Sequence, residues 1–283
     1  MWNDKDLAIK WPNKKFIISD KDKNDWEEFL SKDEKVLEKE FLDQGYIIRE
    51  AANKDALNKI QKFAIDLLSK KGGNSLDNTH ESISINELND FRLDVIKEIN
   101  AQPWLREAYY QIAKPYLDIL VGNELAMQSR VNLSIQLPDD NSSLLPVHAD
   151  TWSGDSPFEV VVWLPLVNCF DTKSMYLLPP KAANNLSDDF KLHAQGNSEE
   201  LFNAIKNDVD WIKINYGEVL VFNQAYPHGN RINKESETRW SMNCRFKGLF
   251  TPYQDKKIGE FFEPITLRPV SKVAMSYKLP NTE

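Results

Sequence analysis

The 283-residue sequence has little of several features that define common classes of protein. It contains two cysteines, Cys169 and Cys244, which are too few for a disulfide framework or for a metal site built from cysteine alone. No apolar run approaches the roughly 20 residues needed to cross a bilayer. The first residues lack the basic and then apolar order of a secretory signal. We therefore expect a cytoplasmic protein that does not cross a membrane.

The sequence also lacks a concentrated positive charge. Acidic side chains outnumber basic ones by 43 to 35, and the net charge of −8 is spread along the chain. Nucleic acids and anionic membrane surfaces bind concentrated positive charge. We therefore expect neither as a partner, and expect a small-molecule substrate instead. No pattern in the sequence indicates the oligomeric state.

Several catalytic motifs are missing as well. The chain has no phosphate-binding glycine loop, no dinucleotide-binding Gly-x-Gly-x-x-Gly, no Gly-x-Ser-x-Gly elbow and no His-Glu-x-x-His helix. These absences leave the four histidines as the main candidates for chemistry.

Apolar spacing divides the chain into a helical part and a β-rich part. Helical periodicity is found over 25–43, over 88–100, over 103–120 and after Asn53, which is a good N-cap. After Gly122, short β-like segments cover 127–137, 144–150, 158–167, 173–178, 210–215, 217–222 and 238–246. Such spacing predicts a sandwich or barrel. We expect a single domain over 1–283, with a helical part at about 20–122, a β core at about 123–250 and a C-terminal extension over 251–283. A polar insert over 179–209, with a helix near 198–206, could be a lid or a subunit contact.

His148 and Asp150 form the first candidate metal-binding pair. In extended chain, side chains two residues apart point to the same side, so both can reach one ion. The pair alone does not exclude a surface histidine beside a solvated aspartate. His228 is the best third ligand, because it follows the buried strand 217–222 and precedes a glycine. His80 and His193 lie in polar segments, and we expect them to be structural.

Two histidines and a carboxylate on one face of an iron leave open coordination positions, as in non-haem Fe(II) oxygenases. Arg239 follows His228 by eleven residues and could hold the far end of a bidentate co-substrate, because a guanidinium fork suits a carboxylate. Alternation predicts one polar face, Arg239, Ser241, Asn243 and Arg245, opposite Trp240, Met242, Cys244 and Phe246. The alternative is an edge-strand arginine in water.

In this order, His148-x-Asp150, His228 and Arg239 resemble the Fe(II)/2-oxoglutarate-dependent dioxygenases, in particular the phytanoyl-CoA dioxygenase-like branch. The stretches 41–48, 158–167 and 217–222 are also similar to that branch, and the resemblance covers most of 41–250. It implies a mainly β fold with flanking helices, namely a cupin-like double-stranded β-helix or jelly roll. It also implies Fe(II), 2-oxoglutarate as co-substrate and O2.

The resemblance further implies roles for individual residues. His148, Asp150 and His228 would bind iron, and Arg239 with Ser241 would hold the distal carboxylate of 2-oxoglutarate. Polar contacts to co-substrate or substrate would come from among Asn132, Ser134 and Gln136. Because the aspartate ligand is present, the resemblance implies hydroxylation, with release of succinate and CO2, and not halogenation.

The substrate is predicted from the residues near this motif. Trp152 continues the parity of His148 and Asp150 and could stack on a ring, while Arg231 and Arg245 could bind an anionic group. Asn243 is a further substrate-binding candidate. An aromatic ring beside hydrogen-bonding side chains suits a polyhydroxylated molecule. The stretch 148–178 is also similar to oxygenases of surface-carbohydrate and aminoglycoside biosynthesis, so we expect a small polar, sugar-like substrate.

Two other functions remain open from the sequence. One is a cupin-like metal-dependent sugar isomerase or epimerase, which would have no reason to keep the Arg239-x-Ser241 clamp. The other is a non-catalytic sugar-binding β domain, which would bind neither iron nor 2-oxoglutarate.

Overall fold

The computed structural model describes residues 6–11, 14–19, 29–188 and 197–278. It divides into two compact units, 1–39 and 40–283. In the first unit, β1 (Asp6–Trp11) pairs with β2 (Lys14–Ser19) in an antiparallel sheet. Helix α1 (Lys32–Gln44) begins in this unit, and Ser31 and Glu34 cap it through reciprocal side-chain to backbone hydrogen bonds of 2.7 and 3.2 Å. The helix predicted over 25–43 therefore begins later, at Lys32, and residues 25–28 of that prediction lie outside the described residues.

Three helices of the second unit flank its larger sheet. They are α2 (Lys54–Ser69), α3 (Ile85–Asn100) and α4 (Leu105–Leu120). The predicted cap of α2 is confirmed, because the Asn53 side chain accepts a hydrogen bond from the Ala56 amide at 2.9 Å. Helix α4 continues through Pro115, so the proline does not divide it. Helix α2 packs on α3 and α4, which contact the sheet.

The β-rich part forms two antiparallel sheets. Its strands are β3 (Tyr46–Glu50), β4 (Leu125–Gln128), β5 (Asn132–Gln136), β6 (Glu159–Pro165), β7 (Tyr176–Leu177), β8 (Asp210–Trp211), β9 (Glu218–Asn223), β10 (His228–Gly229), β11 (Arg239–Gly248) and β12 (Phe262–Pro264). The larger sheet has the order β12-β4-β11-β6-β9-β3, with β5 also paired to β11. The smaller sheet has the order β10-β7-β8. Strand β11 lies in the interior of the larger sheet, where it pairs with β4, β5 and β6.

The insert over 179–209 contributes two described helices, α5 (Pro180–Asp188) and α6 (Ser198–Ile205). They pack against the smaller sheet through one apolar cluster, which includes Val147, Tyr176, Leu178, Ala183, Leu186, Leu201 and Ile205. The predicted helix near 198–206 is thus confirmed. A last helix, α7 (Pro269–Ser276), has no buried residue. None of the described helices has the length and apolar character needed to span a membrane.

Four predicted strands differ from the structure. Of 173–178 and 210–215, only β7 and β8, two residues each, form strands. The segment 127–137 is broken between β4 and β5, because the Asn100 side chain bonds the backbone of Val131 through both its oxygen and its nitrogen, each at 2.9 Å. The prediction of a regular strand over 144–150 is wrong. That segment makes only an isolated bridge between His148 and His228, and a 3-10 turn then begins at Asp150.

Candidate metal centre

His148, Asp150 and His228 meet at one point. Each offers one ligand atom, and these atoms all lie within 4.8 Å of one another. The two histidines belong to paired backbone: the His148 amide donates to the His228 carbonyl at 3.0 Å, and the His228 amide donates back at 2.8 Å. The amide of Asp150 donates to the Gln224 carbonyl at 3.1 Å, which fixes the start of the turn that carries the carboxylate.

The backbone also determines which nitrogen of each histidine is available. Nδ1 of His148 lies 2.8 Å from the Pro146 carbonyl oxygen, and Nδ1 of His228 lies 2.9 Å from the carbonyl oxygen of Tyr226. A carbonyl only accepts, so each Nδ1 carries a proton, and in the neutral ring Nε2 is then the nitrogen that has the free lone pair. This is the usual arrangement of a histidine that binds a metal.

Electrostatics favour the neutral form of the buried histidine. Burial, and next the nearby ring of His148, lower the pKa of His228 to about 4. The two ring centroids are 4.4 Å apart, and the ring of Phe222 packs edge-on against His228 at 4.9 Å. His228 is therefore an uncharged imidazole at neutral pH, which is the form that coordinates a metal.

The three side chains line a cavity of about 310 Å³. Its other lining residues are Asn132, Ser134, Leu145, Val161, Trp163, Met175, Phe222, Gly229, Asn230, Arg239, Ser241, Asn243 and Arg245. The alternation predicted for β11 is confirmed, because its four predicted polar residues all line the cavity. The apolar residues between them, Trp240, Met242, Cys244 and Phe246, are fully buried.

Arg239 is a buried arginine that has no ion-pair partner among the described residues. It is 3% exposed, so it is not an edge-strand arginine in water. Its Nη1 donates to the Ser174 carbonyl at 3.1 Å, and its Nη2 donates to Ser134 Oγ at 3.0 Å. Within the described residues, its Nε has no hydrogen-bond partner and no carboxylate lies within 4 Å. Burial lowers the pKa of Arg239 to about 10, which still leaves it charged at neutral pH.

Asn132, Asn243 and Arg245 also reach the cavity. Asn132 pairs with Asn243 across the sheet, and its amide donates to Asn243 Oδ1 at 2.9 Å. Arg245 Nη2 lies 2.8 Å from Asp150 Oδ1, and its Nη1 lies 3.2 Å from Asp155 Oδ2. The second carboxylate and its partner Lys256, 2.7 Å away, were not predicted as part of the site. Asp155 lies in the polar stretch after Trp152, but only the fold brings Lys256 to it.

Three of the predicted site residues are described by the structure but do not line the cavity. Gln136 is buried, and its amide donates to the Arg231 carbonyl at 2.8 Å. Arg231 forms a bidentate ion pair with Glu199, with N–O distances of 2.7 and 2.8 Å. Trp152 lies on the 3-10 turn after Asp150 and is 44% exposed.

The remaining two histidines are accounted for separately. His80 Nδ1 lies 3.0 Å from Thr238 Oγ1 and does not line the cavity. His193 lies outside the described residues.

No protein-family model matches the chain, and no curated protein is significantly similar to it in sequence. Solved structures share its fold. A non-haem monooxygenase, ThoJ in complex with nickel, has a TM-score of 0.52 at 14% identity, over 81% of this chain and 84% of the other. EctD from S. alaskensis, solved with 2-oxoglutarate and 5-hydroxyectoine, has a TM-score of 0.52 at 16% identity, over 79% and 78%.

HygX from Streptomyces hygroscopicus, solved with nickel and 2-oxoglutarate, has a TM-score of 0.50 at 13% identity, over 81% of this chain and 90% of the other. The fold is a double-stranded β-helix. This confirms the predicted mainly β jelly roll with flanking helices. At these identities the similarity establishes the fold and not the chemistry.

Proposed function

We propose that this chain is a non-haem Fe(II)- and 2-oxoglutarate-dependent oxygenase that hydroxylates a small polar substrate and releases succinate and CO2. One observation carries the proposal. Two histidines and an aspartate offer ligand atoms within 4.8 Å of one another, in the same cavity as a buried arginine that no carboxylate of the described ranges pairs with. The first feature suits a metal, and the second suits an anionic co-substrate.

The donor set fits ferrous iron. Two imidazole nitrogens and one carboxylate are the ligands of the facial triad of non-haem iron oxygenases, and three protein ligands leave positions open. Both histidines are held as the tautomer that presents Nε2. When bound, iron and 2-oxoglutarate would together supply the oxidising chemistry, and the chain would hold and orient both.

The buried arginine fits the far carboxylate of 2-oxoglutarate. A buried charge without a partner is costly, so Arg239 gains most from a ligand that brings a negative charge into the cavity. Its planar fork can bind a carboxylate through two nitrogens. The hydroxyls of Ser134 and Ser241, which face each other across β5 and β11, offer further hydrogen bonds. The bound ligands of EctD and HygX support this choice of co-substrate.

The remaining lining suits a small, hydroxyl-rich molecule such as a sugar. Asn132 is exposed yet lines the cavity, so it lies at the opening, and its partner Asn243 lies one strand further in. Amides both donate and accept, as hydroxyl groups require. Trp152, on the turn that begins at Asp150, would offer a ring face. Both cysteines are buried free thiols, which agrees with a cytoplasmic enzyme.

Anaerobic titration tests the proposal. Fe(II) is added to the protein first and 2-oxoglutarate second, and the weak visible charge-transfer band of a chelated keto acid is recorded. We expect the band in wild type and in His80→Ala, and expect it to be absent in His148→Ala and Asp150→Ala. Metal uptake without any effect of 2-oxoglutarate would favour a metal-dependent isomerase. Absence of metal uptake would favour a non-catalytic binding domain.

A further inference from the structure

Arg245 joins the metal-ligand candidate Asp150 to a second carboxylate. One terminal nitrogen of its guanidinium lies 2.8 Å from Asp150 Oδ1, and the other lies 3.2 Å from Asp155 Oδ2. The side chains of Arg245 and Asp155 are 14% and 1% exposed, so the bridge is largely shielded from water. Each terminal nitrogen of Arg245 thus forms an ion pair with a different carboxylate, and the charge of one guanidinium holds both carboxylates close to it.

Lys256, a residue of the C-terminal extension, forms the next ion pair after Arg245 and Asp155. Lys256 Nζ lies 2.7 Å from Asp155 Oδ2, and the neighbouring Asp255 amide donates to the Gly154 carbonyl at 3.2 Å. Lys256 and Arg245 both lie near the ring of Phe261, at 4.8 and 5.6 Å from its centroid. The signs alternate along the series Asp150, Arg245, Asp155 and Lys256. The positive charge of Arg245 is therefore balanced before any metal binds.

We propose that Arg245 is a positioning residue that holds the Asp150 carboxylate for the metal, and that Asp155 and Lys256 hold Arg245. This inference rests on the proposed function, because it takes Asp150 as a ligand. It gives Arg245 a different role from the substrate contact predicted from the sequence. It also gives the C-terminal extension a part in the metal centre.

The ion pairs argue against Arg245 as a receptor for an anionic substrate. Both of its terminal nitrogens are already engaged. Two carboxylates already balance the charge of Arg245, so an anionic substrate would gain less from Arg245 than from a guanidinium that has no carboxylate partner. Hydrogen-bond partners of metal ligands commonly change metal affinity by about 10- to 100-fold when they are altered.

Two substitutions separate positioning from charge. Arg245→Lys keeps the positive charge but loses the fork, so one ammonium cannot hold both carboxylates in the same geometry. Asp155→Asn keeps the shape but removes the negative charge that holds the other side of Arg245. For both variants we expect Ni(II) to bind about 10- to 100-fold more weakly in calorimetric titration of the full chain. The visible spectrum of the Co(II) form should also change in Arg245→Lys.

Arg49→Lys is the matched control. Arg49 forms a similar fork pair with Glu40, at 2.7 and 2.9 Å, but does not line the cavity. Its nickel affinity should equal that of wild type. Thermal unfolding without metal shows whether each variant is folded, and Asp155→Asn provides the test if Arg245→Lys is not. Wild-type nickel affinity in both variants would overturn the inference and leave the proposed function standing. Failure of wild type to bind nickel would overturn both.

Discussion

Replacing Arg239 by methionine should abolish most of the affinity for 2-oxoglutarate and leave metal binding intact. The guanidinium is 3% exposed and bonds to Ser134 and to the Ser174 carbonyl rather than to a metal ligand. Methionine fills a similar length of the buried site without the charge. The variant therefore removes the proposed partner of the distal carboxylate and leaves His148 and Asp150 in place.

The expected loss follows from the burial of Arg239. Opposite unit charges about 3 Å apart interact by about 5 kcal/mol at an effective dielectric constant of about 20. Part of this is offset by desolvation of the incoming carboxylate, and loss of one member of a buried charge pair costs about 2–5 kcal/mol. At 1.4 kcal/mol per tenfold change, the Kd for 2-oxoglutarate should rise by about 30- to 4000-fold.

The assay is calorimetric titration of the nickel-loaded protein with 2-oxoglutarate, preceded by titration with nickel alone. Arg239→Met should bind nickel like wild type. Arg239→Lys should be intermediate for 2-oxoglutarate, because it keeps the charge and loses the fork. Arg49→Met, which removes an arginine outside the cavity, should change neither affinity. Equal loss of nickel and 2-oxoglutarate in Arg239→Met, or no loss of either, would refute the role of Arg239.

Other substitutions test separate parts of the structure. Ser241→Ala should weaken 2-oxoglutarate binding by about 2- to 12-fold, the cost of one hydrogen bond, without changing nickel affinity in the same titration. Burial lowers the pKa of Lys247 to about 8 from its ordinary 10.5. Between pH 8 and pH 10.5 the unfolded chain therefore binds more protons at this residue than the folded chain does, so the free energy of unfolding rises with pH. The difference in free energy of unfolding between Lys247→Met and wild type should therefore favour the variant by about 2 kcal/mol more at pH 7 than at pH 9.5, as measured by urea unfolding. An equal difference at the two pH values would contradict this. Gly45→Ala should destabilise by roughly 1–3 kcal/mol in thermal unfolding, because the backbone is left-handed and the new Cβ would lie 2.7 Å from the Tyr226 ring. Gly122→Ala, also left-handed but facing open space, should cost less, and equal losses would show that the contact with the ring is unimportant.

The parts of the fold with a regular apolar period could be predicted from the sequence. The alternation along β11 indicated which residues face the cavity, because one side is buried and the other is polar. The segment at His148 has no such period. Its β pairing is an isolated bridge to His228, and a turn already begins at Asp150. The His-x-Asp spacing was informative because these few residues suffice to bring the side chains together.

The contacts that the sequence did not reveal are long-range ion pairs. Arg231 was predicted to bind substrate, but Glu199 of α6 binds its guanidinium from 32 residues away. Asp155 and Lys256 are 101 residues apart, and no local pattern links them. Gln136 has the same parity as Asn132 and Ser134, yet it lies at the end of β5 and bonds to the Arg231 carbonyl. Parity identifies a face of a strand, but it does not show where along that face the cavity ends.

The most direct test is a crystal structure of the protein grown with nickel and 2-oxoglutarate, with the metal located by its anomalous scattering. The account predicts a single nickel ion about 2.0–2.2 Å from Nε2 of His148, from Nε2 of His228 and from one Asp150 oxygen. The keto-acid end of 2-oxoglutarate should lie on the metal and its other carboxylate on Arg239. A metal held by other residues, or 2-oxoglutarate bound away from Arg239, would contradict the account.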